Sequence, residues 1–140
     1  MTRRPILAWM LLVGAAQAVG CGSGDSPATL NEVRRARSGT VEVLLLSANP
    51  AIRPGKDTYV VEFRSAAGQL VDVGQVMANA SMPMPGMAPM MGSVEIMATS
   101  TPGRYAVSSD LSMTGDWRLT LEWTGPAGSG SVNMSLAVQP

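Results

Sequence analysis

Trp117-Arg118-Leu119-Thr120-Leu121-Glu122-Trp123-Thr124 alternates without a break between large apolar and polar side chains. Successive side chains of a β-strand point to opposite faces. Trp117, Leu119, Leu121 and Trp123 therefore share one face, and Arg118, Thr120, Glu122 and Thr124 the other. A strand that is apolar on one side and polar on the other belongs to a sheet covered on one face, the usual condition of antiparallel sheets. Both tryptophans read as core anchors.

The same period extends outward in both directions. Downstream, the Gly/Pro/Ser loop Gly125 to Gly130 leads to a last strand with Val132, Met134, Leu136 and Val138 inward. Upstream, Thr101-Pro102-Gly103-Arg104 has the proline-second, glycine-third order of a tight turn, with Tyr105 and Val107 after it. Before it, Val94, Ile96 and Ala98 alternate with Glu95, Met97 and Thr99, and Val76, Ala78 and Ala80 face inward on an earlier strand. Leu70 to Val73 continues from a turn at Ala66-Ala67-Gly68-Gln69, and Tyr59, Val61 and Phe63 alternate with Val60, Glu62 and Arg64. Val41, Val43 and Leu45 open the pattern, with apolar neighbours that suggest burial on both faces. Ala48 to Lys56 is a connection, because its two prolines sit in turn chemistry. Seven or eight short strands at this spacing predict an all-β protein, an antiparallel β-sandwich without a second domain.

The N-terminus has the layout of an export signal: Arg3 and Arg4, an apolar run from Ile6 to Val13, then small residues from Ala15 to Gly20. The run is shorter than the ~20 residues that span a bilayer. Ala18-Val19-Gly20-Cys21 resembles the bacterial lipoprotein box, which makes Cys21, the only cysteine, the expected site of lipidation and membrane attachment. This divides the chain into a signal (1–20), a lipidated cysteine and flexible tether (21–39) and the sandwich (40–140). The tether carries Arg34, Arg35 and Arg37 beside Glu32, and Leu30 to Arg37 admits a short helix. Gly22 after the cysteine lacks an inner-membrane retention aspartate. The expected location is therefore the bacterial cell envelope, at the periplasmic face of the outer membrane in a Gram-negative host.

Charge is uninformative about anionic partners. Without Arg3 and Arg4 the chain holds eight basic against ten acidic side chains, so no basic face for nucleic acid is indicated. Without a cysteine pair, stability rests on apolar burial.

Ser81-Met82-Pro83-Met84-Pro85-Gly86-Met87-Ala88-Pro89-Met90-Met91-Gly92 places five methionines in twelve residues and follows neither a strand nor a helix period. Thioethers are soft, neutral ligands suited to Cu(I). The chain has no histidine, so Met82, Met84, Met87, Met90 and Met91 are its candidate metal ligands. Met84-Pro85-Gly86-Met87 fits a type II turn that brings its ends together. A polyproline helix would instead align Met84, Met87 and Met90 as a sulfur stripe. Met77 and Met97 lie on outward faces of the flanking strands. If these strands pair with Ala78 opposite Ile96, Met77 falls opposite Met97 and the sulfur surface grows. Two other uses of the segment stay open: closing the end of the core without metal, or a contact surface by which an adaptor lipoprotein docks on an envelope complex. Met113 and Met134 read as turn or core packing.

Three stretches resemble the YtkA-like domain family, which is related to FixH-type proteins. They are Arg53-Pro54-Gly55-Lys56-Asp57-Thr58-Tyr59 with Ala67-Gly68; the segment Met82 to Met91; and Gly103-Arg104-Tyr105 followed by Asp110-Leu111-Ser112-Met113-Thr114-Gly115-Asp116-Trp117. The resemblance implies an immunoglobulin-like sandwich outside the cytoplasmic membrane, often a lipoprotein, with copper efflux or oxidase-maturation proteins as partners. Relatives often carry histidines near the methionines; this chain has none, which leaves a thioether-only Cu(I) site or no site.

Catalysis finds little support. The commonest general base is missing, and Asp57, Asp72, Asp110 and Asp116 lie at turns or strand ends, where carboxylates cap the backbone.

Overall fold

The computed structural model describes residues 29–140. The predicted signal and Cys21 lie outside the described residues. Eight strands follow in chain order: β1 (Asn31–Ser38), β2 (Val41–Ser47), β3 (Gly55–Ser65), β4 (Gln75–Met82), β5 (Met90–Ala98), β6 (Arg104–Leu111), β7 (Gly115–Gly125) and β8 (Gly128–Val138). All pair antiparallel, in the order β1-β2-β3-β6-β5-β4-β7-β8. β1, β2, β3, β6 and β5 form one layer of an immunoglobulin-like sandwich, and β4, β7 and β8 form the other. The two layers are joined where β4 and β5 pair over only Ala80–Met82 and Met90–Gly92. On the opposite side, Arg34 of β1 reaches across to donate from Nε to the Ser135 carbonyl of β8 at 2.6 Å.

β7 has the expected faces. Trp117, Leu119, Leu121 and Trp123 are buried with Val132, Met134, Leu136 and Val138 of β8. From the facing layer come Val43, Leu45, Tyr59, Val61, Phe63, Tyr105 and Val107. Burying a side chain of this size contributes about 1.5–3 kcal/mol. The Phe63 ring meets Tyr105 and Trp123 edge-on, at centroid distances of 5.4 and 5.1 Å. β2 is buried on both faces, as its apolar run predicts.

The turn before β6 also forms as read. The Arg104 N–H donates to the Thr101 carbonyl at 3.1 Å, and Gly103 has φ +85°. A Cβ on Gly103 would lie 2.6 Å from the Val71 carbonyl oxygen, so only glycine fits.

Three expectations need correction. Residues 31–38, expected to be tether or a short helix, form β1, so the sandwich begins before residue 40. The arginines there are engaged: Arg35 pairs with Glu32 and Glu42, and Arg37 with Glu42. Leu70 to Val73 is not a strand; a single bridge joins Leu70 to Arg64, while Val73 drops into the core. Ile52, inside the expected connection, is a core residue that bridges to Val138.

Candidate metal centre

β4 ends at Met82 and β5 begins at Met90, and these two residues face each other across the ladder. Directly opposed residues have Cβ atoms about 4.5–5.5 Å apart. The methionine segment is therefore a hairpin loop with a methionine pair at its base. Strand alternation then sorts the sulfurs. Met82 is buried and Met90 half-buried against the core, whereas Met91 turns outward and is 65% exposed. Within the loop, Met84 is half-buried and Met87 is 64% exposed. The Met87 N–H donates to the Met84 carbonyl at 3.2 Å and Gly86 has φ +73°, the expected type II turn rather than a polyproline run.

Met77 and Met97 do not join this set. β4 spends Gln75–Ser81 on β7, where Met77 stands opposite Glu122, and β5 pairs with β6, where Met97 stands opposite Ala106. The pairing of Met77 with Met97 considered from the sequence is thus replaced by two separate exposed sulfurs, one on each layer. The reason is topological: the strands that flank the loop diverge into different layers directly below Ala80 and Gly92.

The turn between β6 and β7 supplies what sequence reasoning missed. Ser112 Oγ donates to Met90 Sδ at 3.7 Å. A Cβ built on Gly115, which has φ +132°, would stand 3.2 Å from Met82 Cε and 3.7 Å from its sulfur. Ser112 and Gly115 therefore lie against the two members of the methionine pair, and Met113 falls between them in the chain. Its carbonyl accepts from Trp117 Nε1 at 2.9 Å, and its side chain is 43% exposed. Only the strand pairing reveals this: Ser93 faces Asp110, which brings the start of β5 beside the end of β6. In the sequence, the one hint is that Met113, like the loop methionines, falls at a turn and not on a strand face.

Trp117 underlies the same region. A Cβ on Gly92 would lie 3.0 Å from Cζ3 of its ring, so the indole fills the space that Gly92 leaves next to Met90. Among the described residues, no three His, Cys, Asp or Glu side chains come together as a metal-holding group. Sulfur is the donor that this end of the molecule concentrates, and a set of neutral sulfurs fits a soft monovalent cation. The missing side chain of Gly115 is what lets the Met82 methyl and sulfur pack against this turn.

A polar cleft of about 650 Å³ lies elsewhere, on the outer face of β3, β6 and β5, lined by Lys56, Thr58, Ser93, Glu95, Ser108 and Asp110. Of the four carboxylates expected to cap the backbone, Asp57 accepts from the Thr58 N–H and Asp72 from the Gly74 N–H, whereas Asp110 lies within β6 and lines the polar cleft.

An eight-stranded sandwich with methionines gathered at one end defines the class. A family model described as YtkA-like matches residues 35–122, well over half of the chain, and the protein belongs to that family. Among solved structures it is similar to the Lin-41 filamin domain, with 19% identity over 64% of this chain and 81% of that one and a TM-score of 0.41. It is also similar to domains 4 and 5 of the S-layer protein SbsC, with 13% identity over 80% of this chain and 53% of that one and a TM-score of 0.38. No curated protein matches the chain.

Proposed function

We propose that this protein is an exported, lipid-anchored Cu(I)-binding protein that captures or passes the ion through its methionine-rich end, and that it is not an enzyme. The observation that carries this reading is the opposition of Met82 and Met90 at the base of a loop that also holds Met84 and Met87, with Met91 adjoining. Neutral sulfurs favour Cu(I) over hard cations, and the absence of histidine from the sequence removes the usual Cu(II) ligand. In this reading, lipid on Cys21 holds the domain in the cell envelope, where copper efflux or oxidase-maturation proteins are its exchange partners.

The exposure of Met87 and Met91 favours a second reading, an adaptor lipoprotein that docks on an envelope complex through a metal-free loop. An anaerobic Cu(I) competition titration separates the two, comparing the full chain with a variant carrying leucine at 82, 84, 87, 90 and 91. Leucine keeps the volume of methionine and removes sulfur. Stoichiometric binding that is lost in the folded variant is the expected result. Equal, negligible binding by both proteins would leave the loop as a packing or docking surface.

A further inference from the structure

We propose that the resident Cu(I) ligands are Met82, Met90 and Met113, drawn from two different loops, and that Met87 and Met91 stand outside the site. This assignment rests on the copper reading and specifies where the ion sits. Met82 and Met90 are cross-strand partners on the inner face, and the 112–115 turn touches both, through Ser112 Oγ on the Met90 sulfur and Gly115 beside the Met82 sulfur. Met113 is carried by that turn. The chain on either side of Met113 is thus in touch with both methionines of the β4–β5 pair.

The turn is itself fixed. Trp117, 1% exposed, holds the Met113 carbonyl through its indole N–H, so the position of Met113 is set by a core residue. A thioether sulfur has two lone pairs, so Met90 can accept from Ser112 with one and bind a soft cation with the other. The same arrangement leaves Met87 at the close of a turn and Met91 on the opposite face of β5, 64% and 65% exposed. These two are placed to meet an ion or a partner first, and not to share a site with Met82, Met90 and Met113.

Met113→Leu is the decisive variant. The bond from Trp117 goes to the main-chain carbonyl of residue 113, so leucine there keeps the turn and removes only the sulfur. In the anaerobic Cu(I) titration of the full chain, Met113→Leu should weaken binding at least about tenfold, the loss typical of disturbing even an outer-shell partner of a metal. A Met87→Leu/Met91→Leu double variant should keep wild-type affinity. Methyl-labelled methionine NMR of the unmutated chain gives an independent readout: Cu(I) should shift the methyl signals of Met82, Met90 and Met113. Wild-type affinity in Met113→Leu together with loss in the double variant would overturn the three-sulfur site while leaving the copper reading intact. Absence of Cu(I) binding by the unmutated chain would overturn both.

Discussion

Gly92 and Gly86 both belong to the methionine end, and the same added methyl group does different harm at each. At Gly92 the backbone is unstrained, but a Cβ would lie 2.7 Å from Leu111 Cδ2 and 3.0 Å from the Trp117 ring. The cost is overpacking, about 1–3 kcal/mol. At Gly86 nothing lies within 4 Å of the added atom, yet φ is +73°. There the cost is backbone strain, about 1–2 kcal/mol for a left-handed residue. Gly92→Ala and Gly86→Ala should therefore both lower the melting temperature, while only Gly92→Ala changes the near-ultraviolet circular dichroism, because only it displaces Trp117. Identical spectra from the two variants would show that Trp117 does not rest on Gly92. The buried carboxylate of Glu62 is a third residue whose role is local. It accepts from Arg64 Nε at 2.8 Å and from Arg104 Nη2 at 2.6 Å, so both its oxygens are bound.

At the scale of elements, β1 is the strand that the sequence signals least. It covers the edge of β2, whose Leu44, Leu45 and Leu46 are buried. An uncovered apolar edge strand is a template for association. A chain that begins at Thr40 should therefore aggregate or elute as oligomers on size exclusion, where one that begins at Thr29 stays monodisperse. Monodisperse behaviour of both would mean that β1 is dispensable. The contrast between β1 and β7 explains what could be read from the sequence. β7 and β8 bury one face and wet the other, so their alternation is complete. β1 is an edge strand whose exposed and half-buried residues do not alternate, with a register shift between Glu32 and Arg34, and its charges resemble a solvated linker. The methionine loop was legible because its composition is extreme and its turn is local. The contribution of Met113 was not, because it depends on β5 pairing with β6 and β4 with β7, a long-range choice that no local period encodes. The same choice separates Met77 from Met97.

For the whole molecule, the absence of histidine from the sequence sets the response to pH. No side chain with an ordinary pKa between about 5 and 8 is present, so both stability and thioether ligation should be flat across that range. On the acid side, Glu32 and Glu42 are held below the usual carboxylate range by hydrogen bonds from Arg35 and Arg37. A lowered pKa contributes stability that is lost as pH falls through the folded-state value, but these pairs are solvent-exposed, so that limb should be shallow. The alkaline limb is different. Burial pushes the Tyr59 phenol up to about 12, and burial also raises Tyr105, whose hydroxyl donates to the Gly74 carbonyl at 2.6 Å. A phenol raised in the folded state has the unfolded chain releasing its proton first. Stability is therefore intact below the ordinary tyrosine value of about 10 and declines as pH rises from there toward 12. Tyrosine ionisation followed by ultraviolet absorbance should coincide with loss of the tryptophan near-ultraviolet signal. Cu(I) affinity should hold constant from about pH 5 to 8, because thioethers carry no proton to displace, unlike the thiolate or imidazole ligands of most metal sites. A strong rise in Cu(I) affinity across that range would point to a titrating ligand and overturn the sulfur-only assignment. Early, reversible ionisation of both tyrosines in the folded protein would show that Tyr59 and Tyr105 are not closed into the core.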